Sequence, residues 1–306
     1  MNNIKNQFSI KDLENLSGIK AHTIRIWEKR YNLFSPKRTE TNIRYYSLSS
    51  LQKLLNISFL NANGIKISKI AKLSPSELSV KVREISQMSK NSNHIIDVFK
   101  LAMLNFDQSL FLKTYKEIIQ KNSFKDVFYN YFVPFLDEIG LLWQTNTITP
   151  AHEHFIVELI KQKILINTEH ILNKNNTTNS KETYVLFLPD NEVHELALLF
   201  TNYEILNMGH HTVYLGQSVP LESLTPLMDF YSRITFVSCF TVKPEKDDIE
   251  KYLKQFHKKL LVNTDNKLIV SGRMTEYYSN TISQKISSYK TSKQVLETLE
   301  LIPSHE

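Results

Sequence analysis

The sequence predicts a multi-domain protein of α and α/β class: an N-terminal winged helix-turn-helix, a helical bundle, and a C-terminal flavodoxin-like parallel sheet. Three observations predict it. Two short helical patterns flank Gly18 and are followed by SPKRTETNIRYYS, a Pro-, Thr- and Asn-bearing stretch with a β-prone tail. Residues from about 75 to 172 then keep helical periodicity, with no strand signal standing out. After the polar stretch NKNNTTNSKE the rhythm changes to short β-branched runs separated by helix-like segments, the pattern of an open parallel sheet. A chain of 306 residues has the length of about two domains, each able to bury a core.

The elements follow in order. Ser9 opens the first helix, with Asp12 three residues on as its capping-box partner, and Gly18 ends it. The segment HTIRIWEKRY is apolar at Ile24, Trp27 and Tyr31, which is helical spacing. SPKRTETNIRYYS reads as a hairpin or wing, and SLSSLQKLLNISFLNANG as a third helix closed by Asn63-Gly64. IKISKIAKL reads as a short fourth helix. Five further helical segments make the bundle, from SELSVKVREISQM to PAHEHFIVELIKQKILINTEHIL. Four strands are expected at YVLFLP, TVYLG, ITFVSCF and KLIVSG, with helices at 193–207, 221–232 and 245–260 and a closing helix at KQVLETLELI. The expected domains are 1–75, 76–172 and 183–306, with a linker at 173–182.

Composition bounds the function. Charge is uneven: residues 1–75 hold 13 Lys/Arg against 4 Asp/Glu, a net of +9, while the remainder is net −3. A basic quarter on a near-neutral body points to a polyanion partner for that quarter alone. The lone cysteine, Cys239, excludes an internal disulfide and a cysteine-rich zinc site, and fits a cytoplasmic setting. No apolar run approaches the ~18 residues that span a bilayer, and the N-terminus lacks the apolar core of a secretory signal, so no membrane partner is expected. No G-x-G-x-x-G, Walker or G-x-S-x-G signature suggests catalysis, and a non-enzyme is expected.

Over about residues 7–75 the chain resembles the DNA-binding domain of MerR-type transcription regulators, on T-I-R-x-W-E-x-R-Y in the second helix and R-Y-Y-S closing the wing. The resemblance implies a winged helix-turn-helix that binds double-stranded operator DNA as a dimer. His22, Thr23, Arg25 and Lys29 are the expected groove-facing residues, since 22, 25 and 29 share a helix face and Arg reads guanine edges. Lys37, Arg38, Arg44 and Tyr45 are the expected wing contacts to phosphate and sugar. Ile24 falls off that face. Trp27 reads as core at least as readily as DNA contact, and Glu28 as a residue that orients an Arg.

A second resemblance covers the rest. A MerR module followed by about 100 helical residues and an α/β domain resembles the branch with a helical cap and a cobalamin-binding domain, which includes light-sensing repressors of carotenoid genes. Trp143 followed by Glu153-His154 matches the cap signature W-x9-E-H. Cobalamin domains carry D-x-H-x-x-G, S-x-L and a Gly-Gly pair. This chain has Glu192-Val193-His194-Glu195-Leu196-Ala197, Ser238-Cys239-Phe240 and Ser271-Gly272. The resemblance implies that Trp143 covers the corrin, that His194 is the axial ligand to cobalt with Glu192 behind it, and that Ala197, Ser238, Phe240, Ser271 and Gly272 line a slot for the nucleotide tail. The departures are Glu for Asp at 192, Ala for Gly at 197, Phe for Leu at 240 and Ser for Gly at 271. Gln144 follows the cap Trp, where the photoreceptors have a His. Without the resemblance, His152 and His154 read as solvated, as do Asp137 and Glu138.

The expected function is a sequence-specific regulator, a repressor on family grounds, whose oligomeric state and DNA binding respond to adenosylcobalamin or methylcobalamin held between cap and α/β domain. The expected partners are operator DNA, further copies of the chain and an antirepressor protein. The alternative is a cofactor-free MerR-type regulator with a degenerate cobalamin fold, controlled by a partner protein or another ligand.

Overall fold

The computed structural model describes residues 7–88, 93–174, 182–278 and 282–300. They form two compact units, Met1–Leu159 and Ile160–Glu306 in chain limits.

The first unit starts with β1 (Gln7–Phe8) and α1 (Ile10–Ser17). The capping box forms as expected: Asp12 N–H donates to Ser9 Oγ at 3.1 Å, and Ser9 N–H to Asp12 Oδ2 at 2.8 Å. Gly18 closes α1 in the left-handed region at φ 72°, which turns the chain tightly into α2 (Ala21–Tyr31). Next come β2 (Lys37–Arg38) and β3 (Arg44–Ser47), which with β1 make a three-stranded sheet of order β1-β3-β2. Helix α3 (Leu48–Ala62) takes Ser47 as N-cap and buries Leu51, Leu54 and Leu55. A short α4 (Ile67–Ile70) follows.

The bundle contains α5 (Pro75–Met88), α6 (Asn93–Leu104), α7 (Gln108–Ile119), α8 (Phe124–Val127), α9 (Val133–Gln144) and α10 (Pro150–Lys174). A π-helical turn, Phe128–Phe132, joins α8 to α9. It places an i→i+5 bond, Val133 N–H to Phe128 O, just before Pro134, which has no N–H to give. Phe99, Phe111, Phe132 and Phe135 are fully buried, with ring centroids 5.0–6.2 Å apart, and form the aromatic centre of the bundle.

The second unit takes α10 from Ile160 onward and carries β4 (Thr183–Phe187), α11 (Leu196–Asn207), β5 (His211–Gly216), β6 (Ile234–Cys239), α12 (Ile249–Phe256), β7 (Lys267–Ser271), β8 (Ile286–Tyr289) and α13 (Ser292–Glu300). The sheet is all parallel, with order β5-β4-β6-β7-β8, the doubly wound flavodoxin order. Every residue of β4 and β6 is buried, as both-faced coverage requires. Val185, Phe187, Phe236, Phe240 and Phe256 are among the fully buried residues of one core.

Three details differ from the sequence reading. A fifth strand, β8, is present where only a connection was expected; ISSY is short, half polar and at the sheet edge, so it has little apolar signal. The segment 221–232 is a 3₁₀ stretch, Leu221–Asp229, interrupted by Pro226, and not a regular helix. Helix α10 runs to Lys174, two residues past the expected PAHEHFIVELIKQKILINTEHIL. Residues 175–181 of the expected linker lie outside the described residues, as do the last two residues of KQVLETLELI.

Candidate functional site

The first site is the exposed face of α2. His22, Arg25 and Lys29 are all exposed, whereas Ile24 and Trp27 are buried. Trp27 is thus a core residue. Thr23 is half-buried and its N–H bonds Lys20 O at 2.9 Å, inside the first turn. Two exposed residues on α2 were not singled out from sequence, Arg30 and Ile26. Ile26, 53% exposed, lies four residues from His22 and three from Lys29 on the same face. An apolar side chain there suits a thymine methyl. Its spacing was the available signal.

The start of α2 is held by α1. Lys20 gives no side-chain cap; the carboxylate of Glu14 instead accepts from Lys20 Nζ at 3.2 Å and Ala21 N–H at 3.4 Å. An acidic group at a helix N-terminus stabilises it. On the wing, Arg38 Nη1 donates to Asn42 Oδ1 at 2.6 Å, so this side chain also holds the turn, while Lys37 is exposed. Arg44 Nε lies 3.7 Å from Glu28 Oε2, and Tyr46 Oη donates to Glu28 Oε1 at 2.6 Å. Glu28 therefore links α2 to the wing. Tyr45 is half-buried, opposite Lys37 in the β2–β3 register.

In the bundle, Trp143 is 50% exposed near the end of α9, so its indole is not core. Glu153 is half-buried and His154 exposed. His152, expected to be solvated, is buried; its Nδ1 lies 2.8 Å from Thr149 Oγ1 and its ring stacks on Phe106 at 4.7 Å. It completes the first turn of α10. Asp137 is exposed, as expected, and the partly exposed Glu138 pairs with Lys100 at 2.5 Å.

The third group lies at the carboxyl end of β4. Its centre is Glu192, whose side chain is wholly buried. Oε1 accepts from the N–H groups of Val193 (2.9 Å) and His194 (3.1 Å) and lies 2.6 Å from His194 Nδ1. Oε2 accepts from the backbone N–H groups of Thr241 (3.1 Å), Val242 (2.6 Å) and Lys243 (2.8 Å) in the loop after β6. One carboxylate thereby ties the β4 and β6 loops together at the switch point of the sheet. Burial alone would raise its pKa, but the bonds from His194 and from the Lys243 and Val242 backbone bring it down to about 2. An ionised carboxylate only accepts, so Nδ1 carries a proton, and in the neutral ring Nε2 then holds the lone pair. That is the tautomer a metal-binding imidazole needs.

The contribution of residues 241–243 was not foreseen, because backbone N–H groups leave no mark in side-chain pattern. Nor was that of Glu195, which is buried and accepts from Tyr214 Oη (2.9 Å), Gln217 Nε2 (2.7 Å) and Lys161 Nζ. A cavity of about 300 Å³ lined by Pro189, Asp190, Lys243, Pro244 and Tyr252 opens beside these loops.

The residues expected to line a tail slot lie at the ends of β6 and β7 and the start of α11. Ser238 is buried and donates its hydroxyl to Phe187 O at 2.8 Å. Phe240 sits in the core edge-on to Tyr252 at 5.7 Å, and its N–H bonds Ser271 O at 2.7 Å. Gly272 is needed by the protein itself: a Cβ there would stand 2.6 Å from Phe240 O, at φ 108°. Ser238, Phe240 and Ser271 are all buried. Ala197 is half-buried in the first turn of α11. The donor set fits a cobalt-centred group at His194.

Among the described residues no cluster of three or more His, Cys, Asp or Glu could hold a metal by itself, and no helix is long and apolar enough to cross a membrane.

Comparison with known proteins accords with this arrangement. Residues 8–77 match the MerR HTH family regulatory protein model, and residues 95–166 match the B12 binding domain model. The chain is 25% identical over 215 residues to the HTH-type transcriptional repressor CarH of Myxococcus xanthus, covering 68% of this chain and 70% of that protein. Its fold is similar to that of the Methanosarcina barkeri monomethylamine corrinoid protein, with a TM-score of 0.57 and 12% identity over 69% of this chain and 100% of that one. The chain thus joins a MerR-type DNA-binding domain to a B12-binding domain, the make-up of a cobalamin-binding transcription regulator.

Proposed function

We propose that this MerR-type, B12-binding regulator represses transcription by occupying operators as a dimer or larger homo-oligomer, and that cobalamin held through His194 changes that occupancy. The observation that carries the reading is the 2.6 Å bond between Glu192 and His194 Nδ1, which fixes the ring and its lone pair at the end of β4. Bound cobalamin would supply a cobalt ion that accepts an imidazole nitrogen, and His194 would provide it. Glu192 holds the His194 tautomer, and the loop N–H groups hold Glu192. Trp143 offers an exposed indole face, and Glu153 and His154 stand one helix start away. On the DNA side, His22, Arg25, Ile26 and Lys29 meet base edges, while Lys37, Arg38, Arg44 and Tyr45 meet phosphate and sugar. Linking several modules through one assembly multiplies operator affinity.

The residues outside the sheet unit make a DNA-binding module and a bundle, so we read the chain as a regulator and not an enzyme. A buried lone cysteine suits the cytoplasm.

One observation favours a second reading: Ser238, Phe240 and Ser271 are packed where a tail slot was expected. A regulator of this kind carries no cobalamin and answers to an antirepressor protein or another ligand. The visible spectrum decides between them. Protein incubated with adenosylcobalamin or methylcobalamin and desalted should stay coloured, and His194→Ala should lose the colour or shift the spectrum. A colourless wild type ends the cobalamin reading; a His194→Ala spectrum identical to wild type removes that residue from the cobalt.

A further inference from the structure

Lys100 lies in α6 and is 5% exposed, and no sequence pattern marks it. Its Nζ pairs with Asp97 Oδ1 at 2.9 Å on the same helix and with Glu138 Oε2 at 2.5 Å on α9. It also donates to Leu16 O at 3.2 Å, near the end of α1 in the DNA-binding module. Three acceptors use the three donors of an ammonium. A buried charge is kept only where it is paired and bonded in this way.

A second tie reaches α1 from the far end of α9. Asn15 Nδ2 donates to Thr147 Oγ1 at 3.0 Å, in the turn that follows α9. Trp143 lies on α9 between these two points, after Glu138 and before Thr147. Helix α9 is therefore bound to α1 on both sides of the exposed indole. Helix α1 in turn carries Glu14, which accepts from the first N–H of α2, that of Ala21, and from Lys20 Nζ.

We propose that Lys100 and the Asn15–Thr147 pair are the mechanical link by which the bundle sets the position of the recognition helix: a ligand that covers Trp143 acts on α9, α9 on α1, and α1 on α2. The inference rests on the reading that cobalamin is the effector. Lys100 is a positioning residue, acting through Leu16 and Glu138. Tightly packed helices do not deform continuously, so a shift of α9 moves what is bolted to it.

The test uses the full chain, DNA from upstream of its own gene, and adenosylcobalamin. Operator affinity is measured by fluorescence anisotropy with and without the cofactor, and cofactor uptake is read separately from the visible spectrum of desalted protein. Wild type should show an affinity ratio on the order of 5- to 150-fold, the span usual for coupled sites. In Lys100→Met the ratio should fall to within about 2-fold while cofactor uptake persists. Asn15→Ala strands no buried charge and should lower the ratio part of the way; it decides the matter if Lys100→Met does not fold. Folded, coloured variants that keep the wild-type ratio overturn the link. If wild type takes up no cobalamin, the cobalamin reading falls by itself. The link then predicts altered operator affinity for both variants in cofactor-free protein, and unaltered affinity overturns it.

Discussion

Glu192 shows what one side chain can decide. In sequence it is a conservative departure from an aspartate; in the fold it accepts six hydrogen bonds from two loops. Its pKa is held near 2 against an ordinary 4.5, which is worth about 3 kcal/mol. Because the folded-state value is depressed, that stability is fully present above pH 4.5 and is lost as pH falls towards 2. Glu192→Gln should therefore be less stable than wild type by about 3 kcal/mol at pH 7, with the gap narrowing below pH 4.5. Urea unfolding at a series of pH values checks this; a gap independent of pH refutes it. His194 and Glu192 were legible because a motif named them. Glu195 and Lys100 were not, since a lone charged residue in a sequence gives no hint of its partners.

At the scale of the element, legibility followed local chemistry. The Ser9–Asp12 box, the Gly18 turn and the Ser47 cap lie within a few residues of what they stabilise, so the sequence announces α1, α2 and α3 and their ends. Strand β8 and the π-helical turn depend on distant neighbours, and periodicity is blind to both. The end of β7 is such a case. Gly272 approaches the backbone of Phe240, just after β6, more closely than any Cβ permits. Gly272→Ala should lower stability by about 1–3 kcal/mol or more, since overpacking adds to an unfavourable φ. A thermal unfolding midpoint equal to that of wild type would contradict this close approach.

At the scale of the whole molecule, charge is partitioned by module, with +9 in the first 75 residues and −3 in the rest. Salt dependence of operator binding should then arise from α2 and the wing. Lys37→Ala should weaken binding on any DNA sequence and reduce the slope of log affinity against log salt by about 1. An unchanged slope in a titration of sodium chloride would place Lys37 off the duplex. The sequence by itself determined the order of the modules, the cations along α2, the parallel α/β class of the C-terminal sheet and the His194 motif. All of these are written in spacing along one chain, where periodicity and short-range chemistry act. Only the tertiary structure decided that Phe240 is core, that five backbone N–H groups hold Glu192, and that a buried lysine joins the bundle to the helix-turn-helix. Such facts depend on which distant groups exclude water together, and burial is a property of the assembled fold, not of the order of residues.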